Sequence, residues 1–263
     1  MAKSGYDMNV IGVPKTIDND LFGTDHCPGF ASAAKYIATT IMEINLDAKV
    51  YDTGMICIIE AMGRNAGWLT ASAALANSKG LGADLIYLPE VPFDVDKFVA
   101  DVKGVLAKND NKCIVCVSEG IKNKDGVLIG EVLGQAGARD SFGHAQLGGV
   151  AANLANIIKE KTGIKTRAIE LSLMQRCAAH CASDTDIEET FEAGKQAVKS
   201  AVSGETDKMV CYARKDGKDY VCEYKLLPLE LAANTEKTVP LEWITDNGTG
   251  ISDEFVKYAL PLI

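Results

Sequence analysis

A chain of 263 residues with 47 % hydrophobic and 24 % charged content is globular and long enough for one large domain or two small ones, which excludes a disordered tract. Its formal charge of -9 at pH 7 disfavours nucleic acid or an anionic membrane as a partner, because either needs a broad basic face. No run of about eighteen apolar residues occurs, and Met1 to Asp7 lacks the apolar core of a secretory leader, so a cytoplasmic protein is expected. Eight cysteines fall in apolar runs (Cys57, Cys113, Cys116) or helical ones (Cys177, Cys181), and reduced, buried thiols are expected.

In chain order, Met8 to Val13 reads as a short buried strand. A polar loop follows, Pro14-Lys15-Thr16-Ile17-Asp18-Asn19-Asp20, with turn residues from Phe22 to Asp25. Pro28-Gly29 opens a helix over 30–44, where Phe30, Ala33, Ala34, Ile37, Ile41 and Ile44 recur at helical spacing, and Asn45 and Asp47 are expected to end it. Met55 to Ile59 is a continuous apolar strand with Glu60 at its carboxyl end, and Met62-Gly63-Arg64-Asn65-Ala66-Gly67 follows as a loop. Next come a helix over 68–76, a strand over 84–88 stopped by Pro89 and Pro92, a helix from Asp94 and Asp96 through Leu106, and a strand over 112–117 ending at Ser118-Glu119-Gly120. This alternation predicts an α/β fold built on a parallel sheet covered on both faces.

The stretch 120–143 is rich in glycine and charge and predicts an irregular excursion with a short strand at Val127 to Ile129. Gly148-Gly149 leads into a helix over 150–161, and a strand over 166–171 meets Met174-Gln175-Arg176. A helix start at Ala178 to Ser183 precedes a strong helix over 186–202, acidic in its first turns and lysine-bearing later. After Gly204, alternating runs over 208–213 and 219–226 predict a β-hairpin around Lys215-Asp216-Gly217-Lys218, then loop and short helix to Pro240 and a last helix over 252–260.

Chemistry concentrates at strand ends. Carboxylates two apart, Asp18 and Asp20, can divide labour, one taking a proton from a hydroxyl and the other holding a cation or its partner; the alternative is plain turn chemistry. Lys15 and Thr16 beside them suit a phosphoryl group in transfer. Gly63 allows close backbone approach and Arg64 offers a fork to phosphate or sugar oxygens, or is a surface arginine in a turn. Glu119 binds sugar hydroxyls or is simply solvated. The chain has only five arginines, Arg64, Arg139, Arg167, Arg176 and Arg214. Arg167 and Arg176 flank one strand and its exit loop, which suits a phosphate dianion or an ion pair with Asp184 or Asp186.

Other signals are weaker. Cys113 and Cys116 have zinc spacing, but residues three apart in a strand face opposite ways, so core packing is expected. Cys177, His180 and Cys181 lack a fourth ligand, and His26 and His144 stand isolated. Neither Gly-x-Gly-x-x-Gly nor Gly-x-x-x-x-Gly-Lys-Ser/Thr is present, which leaves no evident nucleotide cradle and little support for a nicotinamide enzyme.

Pro14-Lys15-Thr16-Ile17-Asp18-Asn19-Asp20, Met62-Gly63-Arg64-Asn65-Ala66-Gly67, Ser118-Glu119-Gly120 and Met174-Gln175-Arg176, in this order from about Val10 to Val202, resemble the phosphofructokinase family. The resemblance implies parallel sheets flanked by helices, here with a hairpin-containing C-terminal extension. It also implies the glycolytic transfer of a phosphoryl group from ATP or pyrophosphate to the 1-hydroxyl of fructose 6-phosphate. It casts Asp18 as base, Thr16 as a contact to the moving phosphoryl group and Asp20 as support for the base and for Mg2+. Met62, Gly63, Arg64 and Glu119 would hold the sugar, and Arg167, often reaching across a subunit boundary of a homo-oligomer, and Arg176 its 6-phosphate. Lys15 resembles pyrophosphate-dependent members, in which the cation stabilises the transition state, so pyrophosphate is the expected donor and ATP the alternative.

The chain departs from the family in three places. Leu173 stands where histidine or tyrosine is usual, and Met55 where tetrameric ATP-dependent members carry a subunit-bridging arginine. The family's Gly-Gly-Asp donor loop lies well upstream of the first motif, whereas thirteen residues precede Pro14 here. The expectation is therefore the sugar-phosphate part of a longer enzyme: 1–27 with 174–204 from the donor-side domain, 28–173 the sugar-phosphate domain, and 205–263 the extension. A sugar-phosphate-binding module without catalysis is the competing reading.

Overall fold

The computed structural model of the chain describes residues 5–134, 149–215, 217 and 219–263. The first strand, β1 (Ile11–Gly12), leads through the polar loop to α1 (Phe30–Val50), β2 (Met55–Ala61), α2 (Trp68–Ala71) with a 3-10 helix at Ser72–Lys79, and β3 (Leu85–Tyr87). Then follow α3 (Val95–Leu106), β4 (Lys112–Ser118), α4 (Ile129–Leu133), α5 (Val150–Thr162), β5 (Lys165–Glu170), α6 (Met174–Cys177) and α7 (Asp184–Val202). The remainder is the hairpin β6 (Lys208–Arg214) and β7 (Cys222–Pro228), then α8 (Leu229–Ala232), β8 (Ile244–Thr245), β9 (Gly250–Ile251) and α9 (Asp253–Ala259).

The predicted sheet is β3-β4-β2-β5, parallel throughout. All seven residues of β2 are buried, as expected of a strand that meets apolar layers on both faces. On one face Cys57, Ile59 and Cys116 pack under α1 and α2; on the other Ile56, Ile58 and Cys113 pack under α3 and α5. Cys113 and Cys116 thus enter opposite cores, as the strand period requires. Met55 is core as well, paired with Lys112 and Lys165.

A second sheet, β1-β6-β7, joins the two ends of the chain: β1 pairs parallel with β6 in the register Ile11 to Lys208, and β6 pairs antiparallel with β7. The hairpin is as expected, although Asp216 and Lys218 of its turn lie outside the described residues, as do Arg139, His144 and Gly148. The expected buried strand over 8–13 is instead two residues at a sheet edge, with Met8, Val10 and Val13 exposed. Its one described neighbour is β6, so its side chains are not sandwiched.

Three local expectations change for tertiary reasons. The first helix runs past Asn45 to Val50, because Asn45 turns inward and donates to the Gly82 carbonyl at 2.9 Å instead of capping a helix end. Val127 to Ile129 makes no strand; a single bridge between Lys122 and Leu128 precedes α4. Trp68 to Ala76 is helical but tightens to a 3-10 helix from Ser72, ending at Gly80 with φ 67°.

His26, isolated in sequence, is buried between two carboxylates: Nδ1 lies 2.9 Å from Asp25 and Nε2 2.6 Å from Glu189 on α7. Burial opposes the charged ring, but these hydrogen bonds outweigh it and raise its pKa. Arg214 on β6 also reaches Asp25, at 3.1 Å, ties the hairpin to the same spot, and helps hold the Asp25 carboxyl below its usual range against burial. Asp186, also on α7, caps the start of α1, accepting from the Gly29 amide at 2.8 Å and the Ser32 amide at 3.1 Å.

Candidate functional site

The loop after β1 carries the acids. Asn19 sits between them with a φ of 59°, a left-handed conformation that asparagine tolerates better than most residues. Fully buried, it donates to the Tyr258 hydroxyl at 2.9 Å and accepts from the Cys27 amide at 2.9 Å, so the turn is fixed from within. Thr16 accepts from the Asp18 amide at 3.1 Å. Lys15 is exposed, and Thr16, Asp18 and Asp20 are half-buried.

The second group comes from the carboxyl ends of β2 and β4, which are hydrogen-bonded neighbours. The Gly63 amide donates to Glu119 at 3.2 Å, and the Ser118 hydroxyl donates to the Gly63 carbonyl at 2.6 Å. A Cβ built on Gly120 would lie 1.9 Å from the Arg64 carbonyl oxygen, so only glycine lets the two turns touch. Gly63 has φ 128°, again a glycine conformation. Met62 is held at its amide by the buried Gln175 side chain at 3.2 Å, which links this turn to α6 and Arg176.

Burial, then the neighbouring Asp20, raises the pKa of Asp18, while Lys15, Arg176 and Arg64 pull it back. Glu119 is likewise raised, by burial first and also by Asp18, against the Gly63 hydrogen bond, Arg64 and Arg176. Asp20 is raised mainly by burial, with Glu236 adding and Lys237 opposing. One electrostatic neighbourhood therefore joins Lys15, Asp18, Asp20, Arg64, Glu119 and Arg176. The Asp18 Oδ1 atom is buried and accepts no hydrogen bond within the described protein. Such an oxygen, close to three cations, can take a proton from a hydroxyl while the cations hold an anionic group.

Arg167 is not part of this cluster. It is exposed on β5, opposite Cys57 in register and three residues short of the strand's end, at the edge of the sheet. Cys177 and His180 are exposed and Cys181 is buried; no group of three or more potential metal-ligating side chains occurs among the described residues. Beside the acid loop a cleft of about 310 Å³ opens between Ile17, Gly29 and Ser32 on one side and Gln175, Arg176 and Cys177 on the other.

Sequence reasoning missed Gln175, Glu60 and Lys237. Glu60 is buried in β2, accepts from the Ala151 amide at 2.8 Å at the start of α5, and has its pKa pushed up to about 7 by burial. Its signal was a lone acid ending an apolar run. Gln175 lay inside a recognised motif, whereas Lys237 had no local signal.

The sequence profile of the family described as Phosphofructokinase matches residues 1–201. Proteins named pyrophosphate–fructose 6-phosphate 1-phosphotransferase are similar over nearly the whole chain: one from Methylococcus capsulatus is 40 % identical over 99 % of it, and one from Xanthomonas campestris pv. campestris 43 % identical over 98 %. The crystal structure of a pyrophosphate-dependent phosphofructokinase from Marinobacter aquaeolei superposes on the whole chain with a TM-score of 0.86 at 38 % identity. In all three comparisons the chain spans 62 % of the other protein's length. With a family profile covering most of the sequence and relatives about 40 % identical over nearly all of it, the chain belongs to the phosphofructokinase family.

Proposed function

We propose that this chain provides the acceptor-binding and proton-accepting part of a pyrophosphate-dependent phosphofructokinase, which transfers a phosphoryl group from pyrophosphate to the 1-hydroxyl of fructose 6-phosphate. The observation that carries the reading is the buried Asp18 oxygen, without a hydrogen-bond partner among the described residues, in the neighbourhood of Lys15, Arg64 and Arg176. Asp18 takes the hydroxyl proton as the oxygen attacks phosphorus. Lys15 and Thr16 face the phosphoryl group, and Met62, Gly63, Arg64 and Glu119 hold the sugar. Arg176 takes the 6-phosphate together with Arg167, whose exposed place on an edge strand suits delivery to a neighbouring copy in a homo-oligomer.

Pyrophosphate is preferred over ATP because Lys15 supplies charge where ATP-dependent members commonly have glycine, and because the similar proteins carry pyrophosphate in their names. Asp20, half-buried beside the base, is a hard oxygen donor of the kind Mg2+ accepts alongside phosphate oxygens, and one carboxylate fits an ion that draws its remaining ligands from substrate and water. When bound, Mg2+ supplies neutralisation of phosphate charge. The reading includes a cytoplasmic setting; among the described residues no helix is long and apolar enough to cross a membrane. It also keeps the division into 1–27 with 174–204, 28–173 and 205–263, with one refinement: the hairpin of 205–263 shares its sheet with β1.

The test is Asp18→Asn, with binding measured on the 263-residue chain and turnover on the same chain joined to a donor-binding region. Fructose 6-phosphate is expected to raise the melting temperature of both proteins, while formation of fructose 1,6-bisphosphate from pyrophosphate falls by about 10²- to 10⁴-fold in the variant. Undiminished product formation by the variant would remove Asp18 from the reaction. A second reading, binding without catalysis, draws on Leu173, which is 59 % exposed two residues from the buried Gln175. It expects the melting shift in the wild type with no product from either donor even when the donor-binding region is present.

A further inference from the structure

Against the acid loop runs the segment 236–239, which no motif marks. Lys237 donates through Nζ to the Asp25 carbonyl at 2.7 Å, the Thr24 carbonyl at 3.2 Å and the Asn19 side-chain oxygen at 3.4 Å. These acceptors match the three N–H bonds of an ammonium, and all are uncharged atoms of the loop that carries Asp18 and Asp20. Its backbone amide donates to the Asp20 carbonyl at 2.7 Å, and Glu236 bridges to Leu21.

The same segment grips the other half of the site. The Trp68 indole donates to the Lys237 carbonyl at 2.8 Å, and the ammonium lies 4.9 Å from the centre of the Trp68 ring. Asn65 donates to Glu236 at 2.7 Å. One oxygen of Glu90 accepts from both the Gly67 and Val239 amides, at 2.8 and 2.9 Å. Residues 65–68 follow Met62-Gly63-Arg64 directly, so four residues near the end of the chain tie the acid turn to the arginine turn.

Packing does not call for this lysine. Burial disfavours its charge and lowers its pKa to about 8, although Cys27, Asp25 and Asp20 lie near enough to oppose that fall. A methionine would fill similar space over Trp68 without desolvating an ammonium. What methionine lacks is the set of donors that closes Asn19, Thr24 and Asp25 around a single point.

We propose that Lys237 is a positioning residue that fixes the separation between the Asp18–Asp20 turn and the Met62–Arg64 turn. That a sugar phosphate lies between these turns rests on the function proposed above; the tie itself does not. The experiment uses the 263-residue chain as wild type, Lys237→Met and Lys237→Arg, with amide hydrogen exchange read peptide by peptide. In Lys237→Met, exchange over 19–27 and 65–68 is expected to rise by about tenfold while β2 and β4 stay unchanged, and Lys237→Arg, which keeps charge and donors, is expected to restore most of the protection. Fructose 6-phosphate affinity, measured by calorimetry, should fall about tenfold with Met and recover with Arg. Unchanged exchange in the two turns, or an increase spread equally over β2 and β4, would overturn the proposal. Absence of sugar-phosphate binding in the wild type, with the local exchange difference present, would sink the functional reading and leave the tie standing.

Discussion

The two sheets deliver their functional residues by different physical means. The sheet β3-β4-β2-β5 is sandwiched between two apolar cores, so Gly63, Arg64 and Glu119 project from strand ends that packing already fixes. The sheet β1-β6-β7 is small and has a smaller apolar cluster, led by Ala193, Val210 and Tyr212. Asp18 and Asp20, which follow its two-residue edge strand, take their placement from hydrogen bonds to Asn19, Lys237 and Tyr258 instead. The turns of Gly63, Arg64 and Glu119 are set by burial and the acid turn by directed polar contacts. The two halves should therefore respond to different perturbations.

The largest effect is expected from Ile58→Ala, which leaves a cavity between β2, α3 and α5. It should cost about 4 kcal/mol in chemical denaturation, and a loss under 1 kcal/mol would mean that the central sheet is less tightly packed than its burial implies. Gly120→Ala tests contact between turns without touching the core. Its added methyl would displace the Arg64 carbonyl, and fructose 6-phosphate affinity should fall by about 100-fold in calorimetry while denaturation changes less than for Ile58→Ala.

Glu60 allows a pH test of the central sheet. Its folded pKa of about 7 lies above the ordinary 4.5, so the folded state binds the extra proton between these values and stability falls as pH rises through that window, then levels off. The change attributable to Glu60 is on the order of 2 kcal/mol. Glu60→Gln, which keeps an acceptor for the Ala151 amide, should flatten that slope in melting curves between about pH 4 and about pH 8, values bracketing the window. An identical slope in the variant would assign the pH dependence elsewhere. Smallest of all is Lys257→Ala, which removes an exposed ion pair with Glu254 on α9; its denaturation curve should overlie that of the wild type.

The same contrast explains what could be read from sequence. Met55 to Ala61 and Lys112 to Ser118 were legible because a strand buried on both faces must be apolar throughout, and that period even placed Cys113 and Cys116 in opposite cores. Met62-Gly63-Arg64 and Ser118-Glu119-Gly120 were legible because each closes such a strand or opens the adjoining turn. The acid loop's supports were not. His26 looks isolated until Glu189 arrives from α7, and Lys237 looks like one lysine among many until its three acceptors are in place. Val127 to Ile129 failed for a different reason: three apolar residues carry too little periodicity to separate a strand from the start of α4.

The bond from Asn19 to Tyr258 joins positions 239 apart, and the one from Gly29 to Asp186 joins positions 157 apart. Contacts of that separation form only after the intervening chain has been made and brought round, which puts them late in any folding sequence. On a ribosome the central sheet can close while the acid loop, although synthesised first, still waits for its partners. The acid turn would then take shape after the central sheet, so a chain still lacking Tyr258 would hold that sheet ordered beside carboxylates that nothing yet holds in place.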